Sequence, residues 1–576
     1  MLCLFGLPFY GQDRETERDN ETTTEHPNGL TQDWSHGHAV YPRVGPLQSL
    51  LAVQHNQRAI RSWQAAARSD WRRWNNLRFH HAAKSVIDRD WSISLGSGTT
   101  APAMYAAKFT FDTNAVPNCV TDFIVFPVNA VGSSSQPNIV GFNNLYSGTA
   151  GSTGICNAPA NGRTSGANDD GVSATTIWSY NVHAAGGKVS TSPVLSIDGT
   201  KVAFVETKST GAAHFHVLAW KNGDTLSANL QTVTSPVTIN SFSTTQPAAG
   251  SGAATDLALG TTADDTLSSP FFEYGRDLAY VGNDAGTLYR IKNVFCLFSA
   301  CTGVGSPAPS LDAAWGTGGG LATGCPGRLT GSVVDGSTDN VFVGCSDGKL
   351  YGFTDTGIAL INSPLVVGDG STTGGIVDPP VVDGVHGFVY AVSGNSAGGT
   401  SILVQAKTAD LSSKVTATLG TGGSFNLHAP TFNENYFASG TSTSWLIYEA
   451  TPNSGANAVT LYGIGFNGSR VMTSGAPTNA ITFVIGAFEV SPLTTFLTSG
   501  GEDRLFGSAL IASGGILGSF NITTTFPATV ERTRTEGNGT TGIVVDNASA
   551  LGQANSIYFG VLGSNTAVKL TQTGLQ

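Results

Sequence analysis

Residues 278–292, LAYVGNDAGTLYRIK, decide the fold. An apolar and aromatic run is followed by Asn-Asp-Ala-Gly and then by a second such run, the pattern of two antiparallel strands joined by a tight turn. The phrase returns as VFVGCSDGKLYGF at 341–353 and, more loosely, as VVDGVHGFVYAVSGN at 381–395. A short strand of the form small-Pro-apolar-apolar-x-Asp precedes each hairpin. It recurs as SPVLSID from Ser192, SPFFEY from Ser269, GSVVDG from Gly331, PPVVDG from Pro379, APTFN from Ala429, SPLTT from Ser491 and GIVVDN from Gly542, with a weaker copy, AAKFTFD, from Ala106. Spacings of roughly 50 to 90 residues suit a four-stranded antiparallel unit with variable loops. The sequence therefore predicts an all-β chain, a β-propeller of eight four-stranded blades if the weak copy counts and seven if it does not.

Closure of the ring gives a second expectation. The last unit holds the strands GIVVDN, SIYFG and TAVKLTQ and then the sequence stops. The segment Asp90-Trp91-Ser92-Ile93-Ser94-Leu95 is similar to Ile177-Trp178-Ser179-Tyr180-Asn181, which stands where the first unit needs its outermost strand. Residues 90–96 are expected to complete the last blade and remove its exposed edge. The domain reading is a disordered polar leader over 1–46, a basic helical segment over 47–88 and the propeller over 89–576. Within 47–84, six arginines are mixed with Trp63, Trp71, Trp74 and Phe79, which reads first as a leader or pro-segment that is removed or lies loosely on the body, and otherwise as a helix for contact with an anionic membrane or nucleic acid.

Composition sets the outer limits. Among 576 residues, 40% are hydrophobic and only 12% charged, with 72 glycines, which disfavours a disordered chain, a coiled coil and a helical bundle. The net charge is −11, and residues 1–90 hold 11 of the 29 Lys/Arg, leaving a sparse, acidic body with no basic stripe. Nucleic acid is not expected as a partner of the propeller, because phosphate binding needs clustered cations. Met1–Tyr10 is apolar but short, without a basic leading region or a clear cleavage site, so it does not read as a signal peptide. Seven cysteines contain no CxxC pair. The last six fall into local neighbours, Cys119 with Cys156, Cys296 with Cys301 and Cys325 with Cys345, which reads as a disulfide framework in an oxidising compartment.

The repeat phrases resemble those of quinoprotein-like propellers, the fold of pyrroloquinoline-quinone (PQQ) alcohol dehydrogenases and of BamB-type lipoproteins, and SPVLSIDGTKVAFVE (192–206) resembles the repeat of TolB-type propellers. QPNIVGFNNLYSG at 136–148 is similar to phrases of secreted bacterial propellers without assigned activity. The resemblance spans most of 100–576 and implies fold. The enzymatic branch carries adjacent cysteines, a tryptophan beneath the quinone and a calcium-binding Asp/Glu/Asn set. Here no two cysteines are adjacent, and Trp91, Trp178, Trp220, Trp315 and Trp445 are too few for one per blade. PQQ and calcium are accordingly not expected as cofactors.

No catalytic set and no metal site emerges from the remaining motifs. His214-Phe215-His216 places two imidazoles on one strand face, as a metal pair requires, but no third ligand is identifiable nearby. Asp169-Asp170, Asp264-Asp265 and Glu502-Asp503 read as turn or edge residues, since neighbours on a strand face opposite ways. Asn283–Gly286 and Ser346–Gly348 read as hairpin turns before calcium loops, and Gly316–Gly320 lacks the helix and lysine of a phosphate loop. The sequons at Asn467, Asn521 and Asn538 matter only in a eukaryotic host. The inserts 143–175 and 223–262 are the expected contact loops. The functional expectation is an exported, secreted, periplasmic or cell-surface propeller without catalytic activity, binding protein or glycan or assembling with itself. The alternative is an enzyme at the channel mouth, either a degenerate PQQ-dependent dehydrogenase or a hydrolase or lyase.

Overall fold

The computed structural model describes residues 87–572 apart from loop stretches, the longest being 110–117, 148–155, 157–172, 261–267, 297–305, 437–444 and 548–554, together with strand residues 30–31 and 39–40. The expected leader and helix over 1–88 lie almost wholly outside the described residues, as do Asp169-Asp170, Asp264-Asp265 and Cys301. Among the described residues no helix is long and apolar enough to cross a membrane.

Eight separate sheets follow one another along the chain, each built on antiparallel neighbours. Each of the eight repeat phrases supplies an innermost strand: Ala107–Phe109, Val194–Leu195, Phe271–Glu273, Leu329–Val334, Val381–Asp383, Thr431–Phe432, Thr494–Leu497 and Val544–Asn547 open blades 1 to 8. The weak copy counts, and the propeller has eight blades. Short inner strands followed by longer middle ones produce the wedge that a ring requires.

Local chemistry sets the hairpins. In blade 3, Leu278–Gly282 pairs with Thr287–Lys292, and between them the Asn283 side-chain oxygen accepts from the amides of Ala285 and Thr287 at 3.1 and 2.8 Å while Gly286 takes a φ of +75°. Ser346–Gly348 makes the equivalent turn in blade 4. Among the described residues two cysteine pairs form disulfides, Cys119–Cys156 with Cα atoms 5.6 Å apart and Cys325–Cys345 with 6.0 Å.

The core is a series of layers between blades. Phe271, Tyr280 and Trp315 of blade 3 meet Val333, Phe342 and Tyr351 of blade 4, which meet Val382 and Val389 of blade 5. At the seam, Trp91, Ile93 and Tyr558 of the last blade pack on Ile124, Phe126 and Phe142 of the first. Ile87–Ser94 lies antiparallel to Thr566–Gln572 as the outermost strand of blade 8. The seam also buries ions: Lys108 Nζ stands 3.0 Å from Asp546, and Lys569 Nζ lies 3.3 Å from Asp90 and donates to the Ser147 carbonyl at 3.0 Å. Burial pushes the Lys569 ammonium down to about 8 against the pull of Asp90 and Asp546.

The insert 223–262 is not simply a projecting loop. Its Val237–Ile239 adds a parallel strand outside Tyr180–Val182, covering the edge of blade 1.

Candidate functional site

In this strand order, the links from an outer strand to the next inner one and the turns between second and third strands emerge on the same face, around the axis where inner strands converge. A cavity of about 510 Å³ opens there. Ala101–Ala103 reach it from the link into blade 1, Asp284 and Ser346 from hairpin turns, Arg328, Ile376 and His428 from the links into blades 4, 5 and 6, and Glu489 from blade 7. Contributions from so many blades identify it as the channel mouth.

Both signs of charge meet in it. Arg328 Nε is 3.1 Å from Asp284, and the Arg328 amide donates to the Ser346 hydroxyl at 3.1 Å. His428 is buried, and neither ring nitrogen has a hydrogen-bond partner. Its Nδ1 stands 3.5 Å from Asp378, whose carboxylate accepts from the Ala429 amide at 2.8 Å. On the neighbouring strand Leu446–Asn453, Glu449 is buried and its carboxyl is pushed well above the usual range, by burial first and also by the charge of Asp378. The mouth thus offers a half-exposed cation, a buried imidazole with unused hydrogen-bonding capacity, and apolar walls at Ile376 and Val377. Such a lining suits a polar segment entering between the inner strands.

The sequence candidates distribute unevenly. Glu502 and Asp503 diverge: Glu502 reaches Arg504 at 2.6 Å on the surface while Asp503 is buried. Asp347 pairs with Lys349 at 2.7 Å beside its turn, and Gly316–Gly320 closes a loop bridged at Thr317 and Gly320. His214 and His216, by contrast, enter a cluster with His183, Glu206 and Asp256 at the junction of blades 1 and 2. Sequence reading missed the last three. Counting back across the hairpin turn from His214 leads to Glu206, its cross-strand partner, but His183 and Asp256 arrive from other strands and leave no local signal. Burial opposes charge on His183, yet hydrogen bonds to Asp256 and Glu206 outweigh it and raise the group to about 9, and the same contacts hold both carboxyls below their usual range.

No family model matches the chain, and no curated protein matches it. Solved structures similar to it include BamB from Moraxella catarrhalis, at 12% identity and a TM-score of 0.43 over 84% of this chain and 100% of that one. The Dos1 propeller matches at 11% identity and a TM-score of 0.44 over 84% and 95% of the two chains. Sqt1 from Chaetomium thermophilum matches at 12% identity and a TM-score of 0.40 over 85% and 100%. The architecture is read from the strand order of the chain itself, and by that order the protein is an eight-bladed β-propeller.

Proposed function

We propose that the chain is an exported binding propeller whose channel mouth receives a segment of a protein partner. The observation that carries this reading is His428, a buried imidazole lining the cavity whose Nδ1 faces Asp378 at 3.5 Å and whose Nε2 has no hydrogen-bond partner, next to the half-exposed Arg328–Asp284 pair. A buried polar group without a partner costs stability, and a ligand group supplying the missing bond recovers it on binding. The disulfides support export, since such bonds persist in oxidising compartments. The test places a photo-crosslinking residue at Asn426 on the cavity wall and, as control, at Ile361, which is 88% exposed on blade 4. Products specific to Asn426 and lost in Arg328→Glu are expected from the exported fraction of the source cells. Identical products at both positions would refute the reading.

A second reading has its own observation: His428 beside Asp378, with the Glu449 carboxyl pushed up by burial on the adjoining strand, is the kind of acid–base grouping a hydrolase or lyase uses. It expects turnover of an ester or acidic glycan that His428→Ala abolishes while binding persists. The binding reading expects no turnover.

A further inference from the structure

The histidine cluster lies apart from the channel mouth and calls for a different ligand. In blade 2, Glu206 faces His214 and Phe204 faces His216 across the hairpin, so Glu206, His214 and His216 share one side of the sheet. His183 follows the outer strand of blade 1 in a left-handed conformation, φ 59°, that L residues adopt only under constraint. Asp256 comes from the outer edge of blade 2, between Ala253–Ala254 and Leu257–Leu259.

The hydrogen bonds sort these groups into two shells. His216 Nδ1 lies 2.9 Å from the Thr255 carbonyl, which can only accept, so Nδ1 carries the hydrogen and Nε2 faces Glu206 Oε2 at 3.2 Å. Two acceptors at that separation need either a shared proton or a metal ion between them. His183 Nδ1 is 2.5 Å from the same Oε2, while its Nε2 points at Asp256 Oδ2, 3.5 Å away. Each imidazole therefore turns one nitrogen toward Glu206 and rests the other on an outer acceptor, the arrangement that orients histidines on a metal. His214 braces Asp256 at 2.6 Å. Glu206 is fully buried and its Oε1 has no hydrogen-bond partner, leaving a second oxygen to offer. Gly187 makes room for it, as a Cβ there would come within 1.8 Å of Oε1.

We propose that His183 Nδ1, His216 Nε2 and Glu206 bind a divalent transition-metal ion of the zinc class, with Asp256 and the Thr255 carbonyl as outer supports. A four-coordinate ion with bonds of about 2.0–2.1 Å keeps its donors roughly 3.3 Å apart, which the His216–Glu206 contact already matches and the His183–Glu206 contact reaches by opening less than about 1 Å. Three protein donors leave a fourth position for water. Phe242 stacks on the His216 ring at 5.5 Å and lies tilted against that of His183 at 4.5 Å, and Phe204 lies 5.3 Å from His216, so the ion sits against aromatic walls. Access remains past His183, whose side chain is 18% exposed. Lys208, with Nζ 3.9 Å from Glu206 Oε2, is the competing cation at the rim.

The test titrates cobalt(II) into the full-length chain after chelation and dialysis, reading visible absorption, with zinc as competitor. One ion per chain is expected, displaced by zinc. His183→Ala abolishes the signal, Asp256→Asn weakens binding by about 10–100-fold, and Lys208→Met tightens it. His183 and Asp256 are partly exposed, so these variants are checked for native far-UV circular dichroism, and Asp256→Asn decides if His183→Ala fails that check. Absence of saturation below about 1 mM cobalt, or affinity unchanged in the variants, would overturn the site and leave a proton-bridged structural network.

Discussion

The seam between blades 8 and 1 and the junction between blades 1 and 2 both bury carboxylates, but they neutralise them differently. At the seam the protein supplies its own counter-ions, Lys108 against Asp546 and Lys569 against Asp90, all four side chains fully buried. At the junction, Glu206 is equally buried, yet its close partners are imidazole nitrogens, and the one ammonium nearby stands 3.9 Å off at the rim. A lysine brings a fixed charge and leaves no place for an ion. An imidazole can exchange its proton for a metal ion and so leaves such a place. The first arrangement serves closure of the ring, and the second is prepared for an exchangeable cation.

The strongest way to break this contrast is to remove a seam cation. Lys108→Met takes from buried Asp546 its paired ammonium and is expected to cost about 3–5 kcal/mol in urea unfolding, with Lys108→Met/Asp546→Leu recovering most of it. Removing Cys119–Cys156, which closes a loop of sequence separation 37 next to the same seam, should cost about 4 kcal/mol, seen as a lower midpoint in guanidinium for the double alanine variant. The seam should also reveal itself in pH. Lys569 releases its proton near pH 8 in the folded chain but holds it to 10.5 when unfolded, so the unfolded state binds more protons in that window and stability rises with pH there, by at most about 3 kcal/mol. Lys569→Met should flatten that slope. Above pH 10 the sign reverses, because burial raises the Tyr146 and Tyr558 hydroxyls and the folded state then keeps protons that the unfolded chain gives up. At the junction, Glu206→Gln keeps shape and most hydrogen bonds, and calorimetry of the chelated protein should show only about 1–2 kcal/mol lost. The smallest effect belongs to the channel mouth. Arg328→Ala, at a surface pair, should change stability by under about 1 kcal/mol in a thermal melt, which separates a binding defect from a folding one.

The blades were legible because their signals are local. An inner strand, a turn and a hairpin fit within about twenty residues, so phrases such as PPVVDG and SDGKLYGF repeat recognisably even when the first copy, AAKFTFD, has drifted. The two disulfides were legible for the same reason, as each joins neighbours in sequence. What depends on juxtaposition between strands was not. Val237–Ile239 looks like loop sequence until it lies beside Tyr180–Val182, and His183 and Asp256 reach the histidine cluster from the end of one blade and the edge of the next. The channel mouth is built from links that carry no repeat at all, so Arg328 and His428 gave no sign of sharing a cavity.

The pairing of Ile87–Ser94 with Thr566–Gln572 has a consequence in time. During synthesis at about 5–20 residues per second, the first strand of the ring emerges on the order of a minute before the strand it will pair with. Until then blade 1 presents an apolar flank, including Ile124, Phe126 and Phe142, with no neighbour to cover it. A chain cut short anywhere in the later blades never covers it. The seam is therefore a physical mark of completeness: an unfinished copy differs from a finished one by the apolar surface it leaves exposed, the kind of surface that chaperones and proteases act on.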